Sequence, residues 1–104
     1  MSAEAARLSV SADATGVHVL SGEIDAHTAP VFAAQFDPLP DTEVITLDMS
    51  GVTFMDSSGL RALVDLAGRA GDAGSSVAVR APSRSVAKII EISGLTDIID
   101  LHAK

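Results

Sequence analysis

The sequence contains no cysteine, tryptophan or tyrosine, and aromatic residues make up only 3% of its 104 residues. The lack of cysteine excludes disulfides, thiol catalysis and thiolate metal sites. The lack of tryptophan and tyrosine argues against surfaces that stack on nucleic-acid bases or sugar rings. The hydrophobic residues, 47% of the chain, are therefore mainly aliphatic, and they suffice for the core of one small domain.

Basic residues are also scarce, since seven Lys and Arg stand against fourteen Asp and Glu, for a net charge of −7. Residues 1–56 hold nine acidic residues and one basic residue, whereas residues 57–104 hold five acidic and six basic residues. An acidic domain without a basic stripe is a poor binder of nucleic acid. We therefore expect no direct nucleic-acid partner, and a protein partner with a basic surface suits this charge better.

Long apolar runs and targeting signals are missing as well. No run approaches the roughly 20 residues of a membrane span. The first ten residues lack the basic start and apolar stretch of a signal peptide. We expect a single cytoplasmic domain over residues 1–104, with no membrane partner.

Motifs for catalysis and for cofactors are absent too. His18, His27 and His102 are scattered without ligand spacing, so no metal site is expected. No phosphate-binding glycine loop and no G-x-S-x-G motif occurs, and Ser85–Lys88 matches S-x-x-K without its companion motifs. The sequence therefore predicts no catalytic residue, no cofactor and no enzymatic activity.

Hydrophobic periodicity predicts the order β-β-α-β-α-β-α, followed by a short last element that is either a strand or a helical turn. Hairpin and crossover connections both occur in this order, so the fold class is α/β with a mixed sheet of four to five strands. In the strand Val44–Met49 one face is more apolar than the other. This asymmetry predicts helices mainly on one face of the sheet. The stretch Ser21–Asp25 is expected to lie outside the second strand, and Thr28 to cap the first helix.

The most informative stretch is LDMSGVTFMDSSGLRALV, residues 47–64. It predicts a strand that ends at Met49, a short loop with Phe54 and Met55, and a helix that begins near Asp56 or Ser57. The first N–H groups of a helix lack partners and attract anions. A phosphate on Ser57 would lie over these donors and change the surface without changing the fold. An ordinary capping turn has the same composition, and local chemistry does not separate Ser57 from Ser58.

Phe54 with Met55, and also His27, can be interpreted in more than one way. Phe54 and Met55 are expected to be buried beneath the loop, as apolar side chains usually are. A partly exposed Met55 would instead contribute to a protein-binding patch. His27 either faces a partner or is an exposed loop histidine.

Three stretches resemble the STAS domain, the fold of bacterial anti-sigma factor antagonists. Residues 54–60, FMDSSGL, resemble its phosphorylation loop. Residues 22–25, GEID, followed by TAP at 28–30, resemble the loop after its second strand. Residues 92–95, ISGL, followed by DII at 97–99, resemble its C-terminal segment.

The resemblance implies a partner-switching mechanism. The unphosphorylated antagonist binds an anti-sigma factor, often itself a serine kinase, and so frees a sigma factor. Phosphorylation of Ser57 blocks this binding, and a serine phosphatase restores it. Asp25 corresponds to an acidic residue near the phosphorylation site. The expected partner-binding residues are Asp25, His27, Met55, Asp56, Ser57, Ser58, Gly59, Leu60 and Arg61.

The chain also departs from the family pattern. Arg61 follows Leu60 where many members carry a small residue, and the end at Lys104 leaves little room for the final helix of many members. An alternative function is an accessory STAS-like subunit of a transport complex, in which the Asp56 turn only caps a helix. A nucleotide hydrolase is a third hypothesis, against which the missing phosphate-binding loop argues.

Overall fold

The structure, a computed structural model, describes residues 7–102 of the chain. The elements alternate between strand and helix after an initial hairpin, as the sequence predicts. In chain order they are β1 (Leu8–Ala12), β2 (His18–Ile24), α1 (Ala29–Gln35), β3 (Val44–Met55), α2 (Ser57–Asp72), β4 (Ser76–Arg80), α3 (Arg84–Ile92), a 3-10 turn (Leu95–Asp97) and β5 (Ile99–His102).

The five strands form one mixed sheet in the order β1-β2-β3-β4-β5. β1 pairs antiparallel with β2, and all later pairs are parallel. The hairpin between β1 and β2 is closed by Asp13, whose Oδ1 accepts hydrogen bonds from the backbone N–H groups of Thr15 and Val17. The predicted mixed sheet is therefore confirmed.

The helices pack on one face of the sheet. Each strand from β3 onward is added on the same side of its predecessor, so right-handed crossovers place α1, α2 and α3 on a common face. The burial of β3 agrees, because Ile45, Leu47 and Met49 are buried while Val44 is exposed. This confirms the one-sided arrangement expected from the sequence.

The core between helices and sheet is mainly aliphatic. Two of the three phenylalanines lie in this core, Phe32 in α1 and Phe36 directly after it, with their ring centroids 5.1 Å apart. Phe36 also packs edge-on against His18, at 5.0 Å between ring centroids. The buried stripe of α2 includes Leu63, Leu66, Ala67 and Ala70.

β2 and β3 are both longer than predicted. β2 continues through Ser21–Ile24, which was expected to be a loop, and β3 continues from Met49 to Met55. Serine, glycine and aspartate favour turns in isolation. Parallel pairing between β2 and β3 outweighs that preference and keeps these residues in the sheet. The pairing contains two register irregularities.

The close approach of β1 to β2 requires a glycine. Gly22 has φ of 118°, and a Cβ atom at this position would overlap the carbonyl oxygen of Arg7.

At the other end of the chain, Gly94 ends α3 in the left-handed conformation, with φ of 73°. The last element contains both structures that the sequence left open, a helical turn and then strand β5. Across residues 7–102, no helix has the length and apolar character needed to cross a membrane.

Candidate functional site

The two loops singled out in the sequence come together at the carboxyl edge of the sheet. β2 and β3 are adjacent and parallel, and Ile24 pairs with Met55 at the ends of these strands. Asp25 and Asp56 directly follow this pair. The backbone N–H of Asp56 donates to the carbonyl oxygen of Ile24 at 3.2 Å, which fixes the two loops side by side.

Asp56 is the N-cap of α2. Its Oδ1 accepts hydrogen bonds from the backbone N–H groups of Ser58 at 2.9 Å and Gly59 at 3.2 Å. Ser57, the first residue of the helix, is exposed, whereas Ser58 is half-buried. Of the two serines, Ser57 is thus the one that offers its side chain more fully to an enzyme.

The capping carboxylate changes one expectation about a phosphate on Ser57. The sequence suggested that such a phosphate would lie over the free N–H groups at the helix start. Asp56 already occupies those of Ser58 and Gly59. A phosphate on Ser57 would therefore lie beside a carboxylate, and the N–H groups of Ser58 and Gly59 would not be available to it.

Gly59 lets α2 approach the ends of β2 and β3 closely. A Cβ atom here would lie 2.5 Å from the carbonyl oxygen of Ile24 and 2.7 Å from Cγ of Met55. Met55 is buried, as the favoured interpretation predicted, but Phe54 is 47% exposed and that part of the prediction is wrong. The strand alternation of β3 explains the difference, because consecutive residues face opposite sides of the sheet.

Asp25 organises the loop between β2 and α1. Its Oδ1 accepts hydrogen bonds from the backbone N–H groups of His27 at 2.9 Å and Thr28 at 3.1 Å. The hydroxyl of Thr28 donates to the carbonyl oxygen of Glu23 at 2.7 Å and accepts from the backbone N–H of Asp25. Thr28 precedes α1 as expected, but its side chain holds the loop and does not cap the helix.

Arg7 completes this loop and was not anticipated from the sequence. Its Nη2 bonds to Glu23 Oε1 at 2.7 Å and also to Asp25 Oδ2. The burial of Asp25 favours a higher pKa, but hydrogen bonds from Thr28 and His27 and the charge of Arg7 outweigh it, so the pKa lies below its usual value. Asp25 is therefore ionised at neutral pH and has both oxygens engaged within the protein.

A groove of about 430 Å³ runs between α1 and α2 beside the start of α2. Small side chains line most of it, with Arg61 and Asp65 on the α2 side. The lining residues are Ala26, Ala29, Pro30, Ala33, Ser58, Arg61, Ala62 and Asp65. The groove and Ser57 thus share one end of the molecule.

The nine residues predicted to bind a partner fall into three groups by exposure. His27, Ser57 and Arg61 are exposed, Asp56, Ser58 and Leu60 are half-buried, and Asp25, Met55 and Gly59 are buried. Met55 is the last residue of β3, and the other eight belong to the paired loops or to the first turns of α2. The three buried residues lie beneath the exposed surface of the site.

Over the described range 7–102, no cluster of three or more His, Asp or Glu side chains could hold a metal ion.

Comparison with known proteins identifies the family. The family model described as Mlab, STAS domain, matches residues 7–101. The chain belongs to the STAS domain family. An anti-sigma-B factor antagonist from Bacillus subtilis is 33% identical to this STAS protein over 86 residues, which cover 82% of this chain and 79% of that protein.

Solved structures agree on the STAS fold. A Thermotoga maritima protein, proposed to be an anti-sigma factor antagonist, superimposes with a TM-score of 0.76 and 20% identity over 93% of this chain and 86% of its own. An anti-sigma factor antagonist from Mycobacterium paratuberculosis gives a TM-score of 0.68 and 28% identity, over 93% of this chain and 85% of its own.

Proposed function

We propose that this STAS protein is an anti-sigma factor antagonist that is controlled by phosphorylation of Ser57. The unphosphorylated form binds an anti-sigma factor of the serine kinase type and thereby releases a sigma factor, and a serine phosphatase reverses the modification. The observation that carries the proposal is the position of Ser57, exposed at the start of α2 and beside the Asp25 loop. The 33% identity to an anti-sigma-B factor antagonist supports the choice of partner.

The proposed switch acts on the surface and leaves the fold unchanged. The kinase transfers the γ-phosphoryl group of ATP to Oγ of Ser57, with ADP as leaving group and release of the hydroxyl proton. The product carries about −1.5 to −2 additional charge at neutral pH. Because Asp56 already caps α2, the helix start needs no rearrangement. The partner instead meets a new dianion, and a loss of about 3 kcal/mol would weaken binding roughly a hundredfold.

Binding and phosphorylation test this proposal together. The protein is incubated with candidate anti-sigma kinases and ATP, and the phosphate is mapped by mass spectrometry. Calorimetry then compares the parent with Ser57→Ala and Ser57→Asp. We expect Ser57→Ala to bind without being phosphorylated, and Ser57→Asp to bind more weakly. Ser85→Asp, an exposed serine in the first turn of α3, is the matched control and should bind like the parent.

Two results would contradict the switch. One is phosphate on a residue other than Ser57 in the parent protein. The other is an affinity for the anti-sigma factor that does not change in Ser57→Asp while the variant remains folded.

A second candidate function is an accessory subunit of a transport complex. The completed N-cap favours it, since Asp56 satisfies the helix start without any modification. This alternative predicts stable copurification with a transporter ATPase, unaffected by Ser57→Asp.

A further inference from the structure

The charge of a phosphate on Ser57 is not balanced by the groups that usually receive an anion at a helix start. The N–H groups of Ser58 and Gly59 bond to Asp56. The guanidinium of Arg7 is held by Glu23 and Asp25. A carboxylate next to the phosphate adds repulsion, so a cation nearby would stabilise the phosphorylated form.

Arg61 lies where a cation can reach a phosphate on Ser57. Ser57 and Arg61 are separated by four residues on α2, which places their Cβ atoms about 5 to 6 Å apart on one helix face. Both residues are exposed. An acidic group four residues before a basic one is also the more favourable orientation for a helical ion pair.

Arg61 is available for this contact. Its other helical neighbour, Asp65, is 3.9 Å from Nη1 of Arg69. Among the residues that the structure describes, the ion pairs involve Arg7 and Arg69, and Arg61 takes part in none of them. The guanidinium is long and flexible enough to turn from the groove toward the start of the helix.

We propose that Arg61 is the intramolecular counter-ion of a phosphate on Ser57. This inference rests on the proposed phosphorylation of Ser57. The ion pair draws Arg61 away from the groove between α1 and α2, whose other charged lining residue is Asp65. One modification thus changes the surface at two places, because it adds a dianion at the helix start and removes a cation from the groove.

A titration tests the ion pair without a partner protein. Phosphoserine is incorporated at position 57 during synthesis, and ³¹P NMR follows its second ionisation, which lies near pH 6 in the absence of neighbours. Arg61 favours the dianion, so Arg61→Gln should raise this pKa by about 0.2 to 0.7 units, the range for an exposed ion pair. Arg61→Lys should restore part of the shift, because it keeps the charge and loses the planar fork.

Two further measurements make the result specific. Arg84→Gln, which removes an exposed arginine from the first turn of another helix, should leave the titration unchanged. In about 1 M salt, where the screening length falls to about 3 Å, the difference between parent and Arg61→Gln should shrink. Circular dichroism checks that each variant keeps its helices.

Equal pKa values in the parent and Arg61→Gln would overturn the inference, as would an equal shift from Arg84→Gln. The titration uses neither a kinase nor an anti-sigma factor. If no anti-sigma factor binds, the proposed function fails while the titration still reports on Arg61. If the titration shows no effect but phosphorylation abolishes binding, Arg61 is excluded and the switch stands.

Discussion

Gly22 and Gly68 show how differently two glycines act in one chain. At Gly22 the backbone has φ of 118° and faces the carbonyl oxygen of Arg7, whereas Gly68 lies inside α2 with open space around it. We expect Gly22→Ala to lower the free energy of unfolding by about 1 to 3 kcal/mol from backbone strain alone, with steric overlap in addition. Gly68→Ala should raise it by about 0.5 to 1 kcal/mol, since alanine favours helix. Urea denaturation measures both values, and similar effects from the two substitutions would contradict this account.

Single residues also show what the sequence can and cannot predict about the site. Asp56 and Ser57 were identified because an N-cap signature is local. Arg7 was missed because its contact with Asp25 spans 18 positions and exists only once the register of β1 against β2 is set. Phe54 was assigned to the core because its exposure depends on an extension of β3 that the sequence did not indicate.

At the scale of elements, α2 depends on Asp56 for its start. Asp56→Ala removes the acceptor for two backbone N–H groups and should lower the free energy of unfolding by about 0.5 to 2 kcal/mol. Asp56→Asn keeps a capping oxygen and should remain close to the parent. Chemical denaturation of the three proteins tests this, and an equal loss in both variants would point to the charge of Asp56 instead of its hydrogen bonds.

The bounds of elements were predictable where a local signal exists. The side chains of Asp56 and Ser83 cap the starts of α2 and α3, and Gly94 follows the end of α3 in the left-handed conformation, as these residue types commonly do. The C-terminal ends of β2 and β3 were not predictable in the same way. Their serines and glycines resemble a turn, and pairing between the two strands makes them part of the sheet.

For the whole molecule, His18 links stability to pH. Burial beside Phe36 lowers the pKa of His18, and the charge of Asp13 opposes this shift without reversing it. The unfolded chain therefore binds this proton more readily, so stability is retained above the unfolded pKa of about 6.5 and lost as the pH falls through the lower folded pKa. Thermal unfolding at pH 7 and pH 5 should show a smaller decrease for His18→Gln than for the parent. As a control, His27→Gln on the exposed loop should show the same decrease as the parent. If His18→Gln also showed the parent's decrease, His18 would not be the residue that links stability to pH.

The architecture could be predicted more completely than the site. Periodicity gave the order of elements, and the unequal faces of Val44–Met49 indicated helices on one side. Strand order and register could not be derived from these patterns, because they depend on crossover handedness and on contacts between distant segments. The placement of Asp25 beside Asp56 follows from that register.

The strand order β1-β2-β3-β4-β5 also bears on how the chain reaches its native state. Each strand pairs with the one made just before it, so no strand must wait for a later segment to be inserted between two others. Pairing is therefore sequential along the chain, although the partners in the parallel pairs lie 22 to 32 positions apart in the sequence. A nascent polypeptide leaving the ribosome can therefore extend an existing sheet edge one unit at a time.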